Sequence, residues 1–153
     1  MEQTNRRTFI TQKLVDSLYV EAMVLADEAR SYFDVQAEED RALLEPGVRV
    51  HFACESLRVT TRLMHVIAWL LTQRAVAAGE ISASEAREPD RRLGEGPQSD
   101  PALAGTFPES ARALIRASQE LYERVHRLDR LSAEPSTPYS PARMLMSRLE
   151  RSF

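Results

Sequence analysis

Residues 48–78 limit the possible folds of this chain more than any other segment. Phe52, Ser56, Val59, Leu63, Val66 and Leu70 recur at alternating steps of four and three, the spacing of a helical seam. Leu57, Met64, Ile67, Leu71 and Ala75 form a second stripe, roughly 100° round the same helix. Trp69 falls outside both, in the nearly all-apolar turn Val66-Ile67-Ala68-Trp69-Leu70-Leu71. A helix apolar on two sides needs neighbours on more than one face. One bundle face does not hide both stripes and the tryptophan, so the surplus points to a subunit interface, placed at Ile67, Trp69 and Leu71. Gly79 is positioned to stop the helix. Residues 48–52 alternate and allow a short strand instead, but no partner strand is legible.

Two more long helices follow from the same periodicity. Residues 8–33 carry Leu14, Leu18, Leu25, Ala29 and Tyr32, with Val15, Ala22 and Met23 widening the stripe. The acidic residues 34–45 read as a solvated connector, with Leu43 and Leu44 folded back, ahead of a Pro46-Gly47 turn. The last long helix opens at Thr106, with Pro108 in its first turn and Glu109 completing a capping box. Leu114, Leu121, Val125 and Leu128 form its stripe, broadened by Ile115, Tyr122 and Leu131. Between these helices, Ser82 and Glu85 fit a capping box that starts a short helix to about residue 93. Residues 94–105 read as a flexible loop. With 7% aromatic residues and 5 glycines, a turn-rich sandwich or barrel is disfavoured. The expectation is all-α: a helical bundle over residues 1–131 with a short extra helix, then a flexible tail over residues 132–153. That tail holds Pro135, Pro138 and Pro141 and a short amphipathic end.

The charge balance, 20 basic against 23 acidic residues, gives no general pull toward nucleic acid or anionic membrane. Arg112, Arg116, Arg124, Arg127 and Arg130 do line the last helix. Glu109, Glu120, Glu123 and Asp129 are interspersed with them, which describes a salt-bridged face better than a phosphate track. The single cysteine, Cys54, allows no internal disulfide and points to a reducing, cytoplasmic compartment. No apolar run is long enough to span a bilayer, and no signal-peptide pattern opens the chain.

Chemistry is hard to find. Glu123-x-x-His126 has di-iron spacing, but the second such motif that a di-iron site requires is missing. His51 and Cys54 are helical neighbours, yet no glycine-rich turn exposes the thiol and no oxyanion hole is evident. The glycines form no phosphate-binding loop. No catalytic, cofactor or metal residue is therefore assigned. Glu55 and Arg58 form an i,i+3 pair, and Arg62 follows one turn on. Arg58 and Arg62 are either a solvated charged face or a polar patch read by a partner protein; Glu21 and Glu28 are candidate ion-pair partners across the bundle. Met144, Leu145, Leu149 and Phe153 either fold into a partner's groove, or dock on their own bundle or fray.

Several segments together resemble the RcdA family, the regulators of CtrA degradation of alphaproteobacteria. They are Glu55-Ser56-Leu57-Arg58-Val59-Thr60-Thr61-Arg62-Leu63-Met64, then Trp69-Leu70-Leu71-x-Gln73-Arg74-Ala75-Val76 and Gly79-Glu80-Ile81. Glu21-Ala22-Met23, Glu28-Ala29-Arg30-x-Tyr32-Phe33-Asp34 and Leu121-Tyr122-x-Arg124-Val125-x-Arg127-Leu128-Asp129 extend the likeness over residues 18–129. The resemblance implies a three-helix bundle that forms a homodimer. It implies a non-enzymatic adaptor that helps deliver cell-cycle regulators, such as CtrA-type response regulators, to the ClpXP protease. It also implies a tail that engages partners. The other readings of the sequence are a nucleic-acid-binding transcriptional regulator and a different protein–protein interaction module.

Overall fold

The computed structural model describes the backbone of residues 2–133 and 141–152. Three long helices, α1 (Glu2–Ser31), α3 (Pro46–Ala77) and α6 (Glu109–Ala133), form a three-helix bundle in which α3 packs on both of the others. The short elements are α2 (Ala37–Ala42), α4 (Ala83–Ala86), α5 (Pro101–Ala104) and α7 (Pro141–Glu150). Among the described residues there is no strand. Residues 48–52 are helical, because Pro46 sits in the first turn of α3, where its missing N–H costs nothing.

The acidic connector is not open chain. A π-helical turn over Tyr32–Gln36 carries α1 directly into α2. The Tyr32 hydroxyl donates to Asp40 Oδ2 at 2.7 Å, and Arg41 Nη2 donates to the Phe33 carbonyl at 2.7 Å. Both bonds reach eight residues along the chain and hold the widened turn closed. Leu44 packs against the core as expected, whereas Leu43 stands in solvent.

Gly79 ends α3 in the left-handed region at φ 76°. Its N–H donates to the Val76 carbonyl and that of Glu80 to the Ala75 carbonyl, the paired bonds of a Schellman stop. Ser82 caps α4 by accepting from the Glu85 N–H at 3.0 Å. That helix lasts four residues rather than running to residue 93, since Pro89 forces a new 3-10 turn over Pro89–Arg91. Thr106 does not cap α6: its hydroxyl donates to the Leu103 carbonyl and closes α5. The Pro108 carbonyl takes the first α6 bond, from the Arg112 N–H.

The core is layered along α3. Phe52 meets Phe33 and Phe107 edge-on, with ring centroids 5.6 and 5.5 Å apart. Val59, Leu63, Val66 and Leu70 continue the layer against Leu18 and Ala22 of α1 and Ile115, Leu121 and Val125 of α6. Each fully buried aliphatic side chain of this kind stabilises the fold by about 1.5–3 kcal/mol before entropy is counted.

Candidate functional site

A polar stripe lies inside the bundle at seven-residue spacing: Glu55, Arg62 and Trp69, all buried on the side of α3 that faces α6. Arg62 is 2% exposed. Its Nε donates to Ser118 Oγ at 3.2 Å, and its Nη1 donates to the Pro97 carbonyl at 3.0 Å and to Ser99 Oγ at 2.9 Å. Its Nη2 lies 3.5 Å from Glu55 Oε1. Ser99 also donates to Glu55. Burial pulls the Arg62 guanidinium below its ordinary value, and the Glu55 carboxylate offsets part of that.

The consequence is a strap. Residues 94–99, expected to be a free loop, are drawn onto the bundle because Arg62 takes its acceptors from them. Tyr122 donates its hydroxyl to the Gly94 carbonyl, and Gly96 lies flat on the Tyr122 ring, where an added Cβ would approach to 2.7 Å. Asp100 then caps α5 by accepting from the Ala102 N–H. Beside the strap is an open cleft of about 610 Å3 lined by Arg62, Tyr122, Glu123 and His126. Its walls combine both charges and two near-parallel rings 6.1 Å apart.

Two turns beyond Arg62 on the same face, a second buried polar centre joins three elements. Trp69 Nε1 donates to Asp129 Oδ1 at 2.9 Å, and Arg92 holds both carboxylate oxygens, at 2.8 and 3.0 Å. Burial by itself pushes the Asp129 carboxyl up. The hydrogen bonds from Arg92 and Trp69 outweigh it and hold the group below the usual carboxylate value.

These contacts relocate several residues singled out in the sequence. Trp69 is 4% exposed and is spent inside its own chain, so the bundle does hide the tryptophan. Arg62 offers no surface to a partner. Arg58 remains half-exposed and pairs with Glu55 at 3.0 Å. Glu21 meets Arg124 of α6 rather than an arginine of α3. Of the remaining seam residues, Ile67 is half-buried and Leu71 exposed. In the tail, Leu145 and Leu149 are exposed on one face of α7; the Met144 side chain and Phe153 lie outside the described residues. Sequence reasoning missed Glu55, Ser118 and Asp129 as buried centres, and it missed Arg92 altogether. The available signal was a polar residue standing in an apolar stripe, as Ser118 does between Ile115 and Tyr122 and Asp129 does one turn after Val125.

Of the second α3 stripe, Leu57, Met64 and Leu71 are exposed among the described residues, whereas Ile67 is half-buried and packs against the core. Val50, Leu57 and Met64 are 62%, 67% and 64% exposed, at seven-residue spacing on the side away from the core. The arginines of α6 are largely used within the fold: Arg112 and Arg116 pair with Glu109, and Arg124 with Glu21. Cys54 is half-buried and free. Among the described residues no group of three potential metal ligands gathers, and no helix is long and apolar enough to cross a membrane.

This architecture defines a helical bundle protein whose buried charges bind its own connecting segments and whose second long helix leaves Val50, Leu57 and Met64 exposed. Residues 6–153 match the family described as a protein of unknown function, DUF1465. The chain is similar to the crystal structure of RcdA from Caulobacter crescentus CB15, at 34% identity and a TM-score of 0.66, over 80% of this chain and 93% of that one. No curated protein matches the sequence. The chain belongs to the RcdA family.

Proposed function

We propose that the protein is a non-enzymatic adaptor in regulated proteolysis. It holds a regulatory protein, such as a CtrA-type response regulator, and raises its effective concentration at the ClpXP protease. The observation that carries this reading is the 34% identity with RcdA across most of both chains. The exposed apolar residues of α3 supply the protein-docking surface such a role needs. A nucleic-acid role has less support, since the α6 arginines that would form a phosphate track are mostly paired with carboxylates.

Two contacts belong to this reading. The tail meets a partner through Leu145 and Leu149 of α7, with Met144 and Phe153. Two copies meet at Ile67 and Leu71, on the C-terminal half of α3. The test is degradation of a CtrA-type regulator by purified ClpXP, with the full chain, with a version ending at Leu131, and with neither. Acceleration by the full chain that is lost on truncation supports a tethering adaptor. An unchanged rate with the full chain present rules the reading out for that cargo.

A further inference from the structure

We propose that the outer face of α2, together with Val35, docks a basic amphipathic helix of a partner protein. The proposal goes beyond the adaptor reading above and is independent of the protease. The most exposed large apolar side chains among those described are Leu43, at 87%, and Val35, at 72%. Glu39 stands between them, four residues from each, so the three share one side of the segment. Glu38 and Ala42 lie beside that row and are exposed as well. The opposite side is used by the fold. Ala37 is buried, Asp40 accepts from the Tyr32 hydroxyl, Arg41 donates to the Phe33 carbonyl, and Leu44 packs against the core. Val35 and Leu43 are thus presented on a braced surface about 12 Å long at the ordinary helical rise.

Charge selects the occupant. Residues 27–49 hold seven carboxylates and three arginines, a net charge of −4 in a chain whose total is −3. The excess negative charge is therefore gathered at this end of the bundle. Of the three arginines, Arg30 lies 3.8 Å from Asp27, Arg41 is turned to the Phe33 carbonyl, and Arg49 hydrogen-bonds to the carbonyls of Leu44 and Ala42. At the start of α6, Arg112 and Arg116 already pair with Glu109. Glu28, Asp34, Glu38, Glu39 and Glu45 are exposed and meet no cation among the described residues. A nucleic acid or an anionic membrane is repelled by such a surface, and a second copy would set like charges against each other. The chain's own α7 is basic but out of reach. α6 runs alongside α3 from Phe107 beside Phe52 to Asp129 beside Trp69, so Ala133 lies at the far end of the bundle. The 25 residues of α6 span about 36 Å. The chain from Ala133 to Pro141 covers at most about 29 Å, so α7 cannot lie along α2 of its own chain. A partner helix with large apolar side chains covers Val35 and Leu43, and its Lys or Arg residues meet Glu38 and Glu39.

The experiment uses the full chain and two fluorescent alanine-based helical peptides of about 18 residues, long enough to hold a helix. Both carry leucines at alternating three- and four-residue steps; one has lysines beside the stripe and the other glutamates. Anisotropy should show the lysine peptide binding about tenfold or more tightly than the glutamate peptide at low salt, with the difference shrinking as salt rises. Glu38→Gln with Glu39→Gln should narrow the difference. Val35→Ser with Leu43→Ser should weaken the lysine peptide about tenfold or more, with helical circular dichroism kept because both side chains stand in solvent. Leu57→Ser with Met64→Ser, on α3, should leave its binding unchanged. Equal binding of the two peptides, no binding, indifference to either α2 pair, or loss in the α3 pair overturns the proposal. So does a tenfold gain in lysine-peptide affinity for a chain ending at Leu131, because the tail of a second copy would then own the face. If the lysine peptide binds as expected but ClpXP degradation is unaffected by the chain, the adaptor reading fails and this surface stands.

Discussion

Trp69 and Asp129, 60 residues apart in sequence, are joined by a 2.9 Å hydrogen bond from the indole N–H to the carboxylate, which ties α3 to α6. Arg92 approaches the same carboxylate from the segment after α4 with a two-pronged pair. One buried acid thereby fixes two helices and a connection. Its three donors leave little of its lone-pair capacity unmet, which is the condition under which a buried charge is tolerated.

Replacing Trp69 with Phe keeps most of the apolar volume and removes one donor. The expected loss is about 1–3 kcal/mol of unfolding free energy, the cost of leaving a buried acceptor short of a partner. Urea denaturation checks it, followed by circular dichroism because the variant lacks the chain's single tryptophan. A change well below that range would mean the indole is not holding Asp129.

Acid should weaken the same centre. The Asp129 carboxyl is held below its ordinary value in the folded chain. Its contribution is therefore fully present above the unfolded-chain value of about 4 and is lost as pH falls through the lower folded value. Urea midpoints measured from pH 7 down to pH 3 should fall more steeply for the unaltered chain than for Asp129→Asn. The variant should already be less stable at pH 7.

Arg62→Ala takes one of two cations from the buried Glu55 carboxylate, leaving it Arg58, and releases the strap. The loss is expected to fall short of the about 3–5 kcal/mol for a buried charge left with no partner, because Arg58 still pairs with Glu55. Limited proteolysis should then cut first within residues 94–99. Arg62→Lys should rescue little, because an ammonium cannot reach Ser118, the Pro97 carbonyl and Ser99 from one planar fork.

Gly96→Ala places a methyl group against the Tyr122 ring. Overpacking of this kind costs about 1–3 kcal/mol, and hydrogen exchange should rise in residues 94–99 before it rises in α3. Unchanged exchange there would show that the strap does not rest on the ring.

Ile67→Asp with Leu71→Asp tests the proposed homodimer seam. Light scattering should report a monomer, and Leu71→Asp alone, at an exposed position, should show the effect with helical content unchanged, since Ile67 also packs against the core. A dimer that survives both substitutions places the seam elsewhere.

Periodicity alone located α1, α3 and α6, because burial of an apolar stripe repeats with the helical turn and leaves its mark in the spacing of Leu18, Val59 or Val125. Gly79 was equally legible as a stop, since a left-handed residue after a long helix favours glycine. Local signals also found the Glu55–Arg58 pair, which is one turn long, and the surplus apolar stripe at Leu57 and Met64. The sequence did not reveal which polar residues would be consumed inside. Glu55, Arg62 and Trp69 share a seven-residue register, but their partners Ser118, Pro97, Ser99, Arg92 and Asp129 lie on other elements. Only the packing of α6 and the strap against α3 brought them within hydrogen-bond range. The helices and the free apolar face were fixed by the turn of the backbone, which is local. The fate of Trp69 and Arg62 was decided by contacts between distant segments, which spacing along one chain does not encode.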